Sequence, residues 1–277
     1  MGLRINTNVA SLAAQRNLGI NKNNTENNLR KLSSGERITR AADDAAGLAI
    51  SEKLKGHIRG VRQARRNADD GISLIQTAEG GLSEISAIII RLRELAVQSA
   101  SDTVGETERG FSDIEFQQLK DEISRISGGM EFNGRKLLNG SGGVVDLQIG
   151  IHNNPLLDRI SYDSAITDST LASIGLMSET VSTKEGAQLS LERLDSALQR
   201  VNGVRANLGA LQNRLQSTAN NLLVTDENFS AANSRIRDVD VAAETADLAR
   251  NNILNQASVS VLAQANNAPQ FALKLLS

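Results

Sequence analysis

The chain has 277 residues, a formal net charge of −2, no cysteine and no tryptophan. Without cysteine it can form neither a disulfide framework nor a zinc–thiolate site. The near-neutral charge gives no overall attraction to nucleic acid or to an anionic membrane. Aromatic residues make up 2% of the chain, so Ala, Leu, Ile and Val must supply the buried area. This composition favours thin helical bundles over a compact enzyme core.

The first helix is predicted to begin near Asn6–Asn8 and to end at Ser33-Ser34-Gly35. Asn and Thr can cap its start, and Gly fits the left-handed conformation that ends helices. Its apolar stripe is weak, and residues 1–30 contain eight asparagines, which are poor helix formers. A helix of this kind is marginal alone in water. We therefore expect both chain ends to be disordered in the free monomer and to fold against each other on assembly.

The clearest predicted element is a helix from about residue 44 to 99, capped by Asp43 or Asp44. At 1.5 Å per residue it would be about 84 Å long. An apolar residue recurs at every seventh position, which predicts a coiled-coil-like seam against a second long helix at about 186–224. We call these residues the rod seam: Leu54, Val61, Ala68, Ile75, Leu82 and Ile89.

Shorter elements are predicted between the two long helices and after them. A helix at about 106–127 has Phe111, Ile114, Leu119, Ile123 and Ile126 facing one side. Residues 144–151 alternate as a strand does, and residues 158–162 could be the hairpin partner. A final helix is expected at about 240–267, ending near Pro269 because proline interrupts helices. The predicted fold class is mainly α: a long antiparallel helical bundle or coiled coil with a small β-hairpin region, in which the terminal helices pair into an inner coiled coil.

No pattern of catalytic or metal-binding residues is present. His57 and His152 are the two histidines, and neither belongs to a His-Glu-x-x-His motif. Because His57 lies in a heptad row, a role in the seam or on the surface is favoured over a metal site. The Gly-Gly pairs lack the Gly-Lys-Ser/Thr context of a phosphate-binding loop. We therefore expect no enzyme activity, no metal and no cofactor.

Several segments resemble bacterial flagellin and occur in the order found in that family. They lie near both ends of the chain and cover most of it outside about 152–185. The matching segments are LSSGERITRAADDAAGLAIS (32–51), RRNADDGISLIQTAEGGL (65–82), MEFNGRKL (130–137), NSRIRDVDVAAE (233–244) and ILNQASVSVLAQAN (253–266). Each segment alone is weak, but together they are specific.

The resemblance implies a subunit that self-assembles into the helical flagellar filament for motility. In flagellins the two termini form an inner layer of helices, and the long helices form a second layer. The implied domains are an inner terminal-helix domain (1–43 with 233–277) and a helical rod domain (44–232) with its β-hairpin region at about 130–180. Too few residues remain before the helix at 186 for a variable outer domain, so a short form of flagellin is expected.

The resemblance also implies partners and a location. Expected partners are other copies of the chain, an export chaperone, and the junction and cap proteins of the flagellum. The expected location is the flagellum outside the cell, reached by type III export without a cleaved leader. Neither nucleic acid nor membrane insertion is expected. Polymerisation is assigned to apolar residues of the terminal helices: Ile5, Val9, Leu12, Leu254, Val261 and Leu262.

In many flagellins an Arg, a Leu and a Glu contact the vertebrate toll-like receptor that senses flagellin. The matching residues here are Arg91, Leu95 and Glu115. Arg91 and Leu95 are four residues apart, which places them on one helix face. Packing between subunits is the expected primary role of this patch, and receptor binding would be incidental to it.

Other classes of function stay open at this stage. A hook–filament junction protein resembles flagellin at both ends, but it would join rather than polymerise indefinitely. An enzyme would need a convergent site, and a membrane-active translocator would need longer apolar segments. Growth of fibres from purified protein after seeding would discriminate between these hypotheses.

Overall fold

The computed structural model describes the backbone of residues 7–274 and the side chains of residues 7–267. These residues form six helices and two small antiparallel sheets. The elements in chain order are α1 (Val9–Ser34), α2 (Ala45–Ser99), α3 (Glu106–Gly129), β1 (Glu131–Phe132), β2 (Arg135–Lys136), β3 (Val144–Gln148), β4 (Arg159–Asp163), α4 (Leu171–Ile174), α5 (Lys184–Arg237) and α6 (Val241–Lys274).

The chain forms two compact units. The terminal unit holds the residues up to His57 and those from Asn228 onward, and the rod unit holds Ile58–Glu227. Both α2 and α5 contribute residues to each unit. Between β4 and α5, residues 164–183 contain only the short helix α4, so no outer domain is inserted there.

The core of the rod unit lies between α2 and α5, which run antiparallel. Ile75, Leu82 and Ile89 of α2 belong to one buried apolar cluster with Leu194 and Val201 of α5. Ion pairs between the two helices follow the antiparallel order, from Arg93–Asp195 through Glu79–Arg205 to Arg62–Asp226. The predicted fold class, a mainly helical antiparallel bundle with a small β-hairpin region, is confirmed.

The predicted buried face of α3 is wrong in the first half of that helix. Phe111 and Ile114 are exposed, whereas Phe116 and Ile123 are fully buried. Phe116 and Ile123 are seven residues apart and therefore lie on the same side of a helix. Phe111 and Ile114 lie five and two residues before Phe116, which turns them by about 140° and 200° away from it.

The predicted hairpin at 144–162 is present. Strand β3 pairs with β4 from Val144↔Asp163 to Gln148↔Arg159. A second hairpin, β1–β2, turns at Asn133 (φ 50°) and Gly134 (φ 77°). Two residues with positive φ suit the tight turn that Asn-Gly favours. The sequence predicts this turn, but strands of two residues are too short to leave a periodic pattern.

The helix boundaries follow the capping residues, with two corrections. Asn8 accepts a hydrogen bond from Ser11 N and caps α1, and Gly35 (φ 69°) ends that helix. Asp44 rather than Asp43 caps α2, with its Oδ1 accepting from Gly47 N at 2.8 Å. Helix α5 continues past residue 224 because residues 225–237 contain no Gly or Pro. Helix α6 continues through Pro269, where proline removes one hydrogen bond without ending the helix.

Candidate assembly surface

Helices α1 and α6 pack against each other with mainly polar side chains between them. The facing positions of α6 are the partly buried residues Glu244, Leu248, Asn251, Asn255, Ser258, Leu262 and Ala265. Hydrogen bonds cross this contact along its length, in antiparallel order: Asn8 Nδ2 to Ala265 O (2.7 Å), Ser11 Oγ to Asn266 Oδ1 (2.7 Å), Asn21 Nδ2 to Ser258 Oγ (3.1 Å) and Asn255 Nδ2 to Thr25 Oγ1 (2.9 Å). Asparagines that weaken each helix alone therefore find hydrogen-bond partners on the other helix of the pair.

Asn28 is the buried centre of this polar contact. In the amide orientation that satisfies its surroundings, Nδ2 donates to Glu244 Oε1 at 3.2 Å and Oδ1 accepts from Leu248 N at 3.1 Å. Lys31 Nζ lies 3.4 Å from the same Glu244 oxygen. Buried polar contacts of this kind fix the register of paired helices more than they add stability.

Several large apolar side chains of α1 and α6 lie on the outside of the pair. Val9, Leu12, Leu254 and Val261 expose between 43% and 65% of their surface. Leu262 is partly buried. The predicted polymerisation residue Ile5 lies outside the described residues. The pair thus departs from the usual arrangement of a soluble helix pair, apolar inside and polar outside, because large apolar side chains are also exposed on its outer surface.

A cluster around Arg237 ties the two connectors of the terminal unit together. Arg237 Nε lies 2.8 Å from Glu36 Oε1, and Nη1 pairs with Glu52 of α2. The backbone closes the same junction, with Arg37 N donating to Arg237 O and Val239 N donating to Gly35 O. The cluster links the end of α5 to the start of α2 and to the segment after α1. Because Glu36, Glu52 and Arg237 lie far apart in the sequence, they form no local pattern, and the sequence analysis did not predict this cluster.

Most of the rod seam is buried. Val61 and the four later residues, Ala68, Ile75, Leu82 and Ile89, are at most 2% exposed. Leu54 is only partly buried and belongs to the terminal unit. His57, in a neighbouring heptad row, lies edge-on to the Phe229 ring at 5.8 Å between centroids.

The structure brings together two of the three residues matched to the receptor contact. Arg91 Nη2 lies 2.8 Å from Glu115 Oε1, and Arg91 Nη1 lies 2.9 Å from Glu94 Oε2. The hydrogen bonds that Arg91 donates to Glu94, first, and to Glu115 raise the pKa of Arg91. Leu95 is 2% exposed and lies in the apolar core. The surface therefore presents the charged pair, with Leu95 beneath it.

Lys120, like Arg237, holds separate segments of the chain together, and the sequence analysis did not predict this role. Its Nζ donates to Gln117 Oε1 (3.1 Å), Met177 O (3.1 Å) and Glu179 O (2.8 Å). Burial lowers the pKa of Lys120. The ammonium group thereby fastens the segment after α4 to α3. Two of its three acceptors are backbone carbonyls, which every residue carries, so no sequence signal marks them.

Neither a metal site nor a membrane span is found in the part of the chain that the structure describes. No three residues of the types His, Cys, Asp and Glu are grouped so that they could hold a metal ion. No described helix combines the length and apolar character needed to cross a membrane. The distinctive feature of these residues is instead a helix pair with several large apolar side chains outside. Exposed apolar side chains grouped in this way indicate a surface that other molecules cover, which is typical of a self-associating structural protein.

Comparison with known proteins identifies the family. Residues 5–142 match the family "Bacterial flagellin N-terminal helical region", and residues 191–276 match "Bacterial flagellin C-terminal helical region". The chain is 48% identical to a flagellin of Halalkalibacterium halodurans, over 98% of this chain and 99% of that one. It is 42% identical to the flagellar filament 30.7 kDa core protein of Treponema maltophilum, over 99% of both. The crystal structure of Bacillus cereus flagellin matches 57% of this chain and 88% of that one, with 32% identity and a TM-score of 0.51.

The chain belongs to the bacterial flagellin family. It is a short form, because residues 164–183 between β4 and α5 hold only the short helix α4 and no outer domain, and it aligns with relatives of similar length over nearly their whole length.

Proposed function

We propose that the chain is a structural subunit that self-assembles into the helical filament of the bacterial flagellum, and that its terminal unit is the main assembly surface. The family and the filament relative support the first part. The observation that carries the second is the set of large apolar side chains exposed on the outside of the α1–α6 pair. Val9, Leu12, Leu254 and Val261 face outward, while asparagine, serine and threonine face inward.

The energetics of this helix pair favour folding that is coupled to assembly. In α1 only Ser11, Ala14 and Asn28 are buried, so the pair gains little from apolar burial. Full burial of a Val or Leu side chain contributes about 1.5–3 kcal/mol. Ordering each residue costs roughly 1–2 kcal/mol of conformational entropy. The inner terminal-helix domain (1–43 with 233–277) would therefore obtain its stability from neighbouring copies in the filament.

Membership of the family supports a wider functional setting, which we include in the proposal. The subunit leaves the cell through the flagellar type III export channel with the help of a chaperone. It then adds to a filament bounded by junction and cap proteins. A subunit that is ordered fully only on assembly suits this route, because it stays soluble until it reaches a growing end. The role is structural, with neither enzyme activity nor a cofactor.

Recognition by the vertebrate flagellin-sensing toll-like receptor is a secondary role of the rod unit. Arg91 and Glu115 offer an exposed ion pair, and Leu95 supports α2 from within the core. Exposed ion pairs contribute about 0–1 kcal/mol to stability, so this pair can be recruited by a partner at low cost. Packing between copies is the primary role of the same surface.

Seeded growth tests the assembly surface. The variant Leu12→Ser/Leu254→Ser removes two outward side chains, and Met177→Ser removes an exposed methionine of the rod unit as a matched control. We expect wild type and the control to extend seeds into long filaments, visible by negative-stain microscopy, and the double variant to fail. Monomer melting should be alike in all three. Normal filaments from the double variant would refute the proposal.

The same experiment addresses the junction-protein alternative. A filament subunit extends seeds indefinitely, whereas a junction protein would bind ends and stop growth. The matches to both flagellin terminal regions and to the filament relative support the filament subunit. No finding favours the junction protein.

A further inference from the structure

Three Asn-Gly pairs lie in three different structural settings. They are Asn133-Gly134, Asn139-Gly140 and Asn202-Gly203. An asparagine followed by glycine can lose its side-chain amide without an enzyme, because glycine has no side chain to shield its backbone nitrogen. That nitrogen must reach Cγ of the asparagine, so the rate of the reaction depends on how freely the local backbone moves.

The pair Asn133-Gly134 is held least firmly by its surroundings. Both residues are exposed, and they form the turn between β1 and β2 with positive φ angles of 50° and 77°. A Cβ placed on Gly134 would meet no atom within 4 Å beyond its chain neighbours. The two strands are two residues long each, and so short a hairpin is marginal by itself. The turn can therefore open while the rest of the rod unit stays folded.

The pair Asn139-Gly140 is held by hydrogen bonds and by packing. Asn139 Oδ1 accepts from Ser141 N at 3.1 Å and from Ser141 Oγ at 2.8 Å. These bonds keep the amide of Asn139 directed to Ser141. A Cβ on Gly140 would lie 3.3 Å from Asp168 Cγ, so the backbone there is closely packed and has little room to shift.

The pair Asn202-Gly203 lies inside the long helix α5. Both residues are exposed, so exposure alone does not distinguish them from the turn at Asn133. In an α-helix each backbone N–H donates to the carbonyl four residues before it, and Gly203 N cannot turn to its neighbour's side chain without breaking this order. Val201, the preceding residue, is fully buried in the core. Opening the helix here would therefore disturb the packed core.

We propose that Asn133 is a site of spontaneous deamidation in the folded chain, and that folding protects Asn139 and Asn202. The Gly134 nitrogen gives up its proton and bonds to Asn133 Cγ. The bond from Cγ to the side-chain nitrogen then breaks, and that nitrogen leaves as ammonia with the proton. The product is a five-membered succinimide ring, which one water molecule opens at either carbonyl. Position 133 then carries aspartate or isoaspartate, and the net change is one water consumed for one ammonia released.

Both products alter the β1–β2 hairpin. Aspartate adds a negative charge two residues from Glu131. Isoaspartate also adds a CH₂ group to the main chain, so the tight turn that Asn-Gly favours is lost. Phe132 is partly buried against the apolar core, and its position depends on this turn. Because water is the only other reactant, the modified fraction rises with the age of each molecule.

Peptide mass spectrometry of aged wild-type monomer tests the proposal. The protein is incubated in mildly alkaline buffer, where the amide nitrogen loses its proton more readily, and is then digested with trypsin. Peptides 126–135 and 201–205 each contain a single side-chain amide, that of Asn133 or Asn202, and fragment masses locate Asn139 within peptide 137–159. Asn133 should convert about tenfold or more faster than the other two, because only they must first open packed structure. A sample taken at zero time corrects for conversion during digestion.

The matched control is the same chain incubated in guanidinium chloride. Without folded structure the three pairs should convert at similar rates, because each is asparagine followed by glycine. An isoaspartate-specific methyltransferase should label peptide 126–135 of the aged folded protein, which confirms the ring intermediate. Conversion of Asn133 no faster than that of Asn202 in the folded chain would overturn the proposal. So would a difference that persists unchanged in denaturant, since flanking residues would then be its cause. Neither result bears on the filament function.

Discussion

The stability of the rod unit should depend on single buried residues of α2, and Ile75→Ala is the sharpest perturbation. Ile75 is 0% exposed and lies in the apolar cluster shared by α2 and α5. Removing three carbon atoms there loses transfer free energy and leaves a cavity, which costs roughly 2–5 kcal/mol for Ile→Ala. In a unit of this size, 1 kcal/mol corresponds to about 2–4 °C in melting temperature. We therefore expect a fall of roughly 4–20 °C.

The matched control is Ile90→Ala, on the same helix and with the same change of side chain. Ile90 is 48% exposed, and such surface changes usually alter stability by about 0.5 kcal/mol or less. The melting temperature of each monomer is measured by circular dichroism during heating. Because both variants replace Ile with Ala in α2, the intrinsic helix preference of alanine cancels in the comparison. Equal melting temperatures for the two variants would show that the core does not lie where the rod seam places it.

Three further predictions concern other sites. Arg91→Ala in a folded, endotoxin-free monomer should lower activation of the flagellin-sensing receptor and weaken filaments. The control Arg59→Ala should do neither. Normal receptor activation by the Arg91→Ala monomer would contradict the receptor assignment. Limited proteolysis should remove α1 and α6 quickly from the free monomer and spare them in the filament, and equal cleavage of both states would contradict coupled folding and assembly. Hydrogen bonds from the Thr39 side chain and from backbone N–H groups lower the pKa of Asp43 below its ordinary 3.8. The stabilisation that these hydrogen bonds give the folded chain is complete above the pKa of Asp43 in the unfolded chain, and it is lost as the pH falls through the pKa of Asp43 in the folded chain. NMR should therefore show Asp43 titrating below 3.8.

The long helices could be predicted because their signals are local and repeated. A heptad row from Leu54 to Ile89 defines α2, and the alternation in residues 144–148 defines β3. Helix ends could be predicted where a cap such as Gly35 is present. The direction that α3 faces could not, because it depends on whether Phe116 or Phe111 meets the core, and both fit a helical pattern.

The polar contact between α1 and α6 shows a different limit of sequence reasoning. Asn21 and Asn255 are unfavourable in an isolated helix, and only the fold shows their partners, Ser258 and Thr25. Such pairs join opposite ends of the chain, so local periodicity cannot reveal them. The exposure of Leu156 is a similar case, because it is a property of the folded hairpin and not of the local sequence.

A cryo-EM map of the assembled filament would test the central claim most directly. Val9 and Leu12 of α1, with Leu254 and Val261 of α6, should be buried against other copies of the chain, while the asparagines remain between the two helices. Contacts between copies that left these four side chains exposed to water would contradict assembly through the terminal unit.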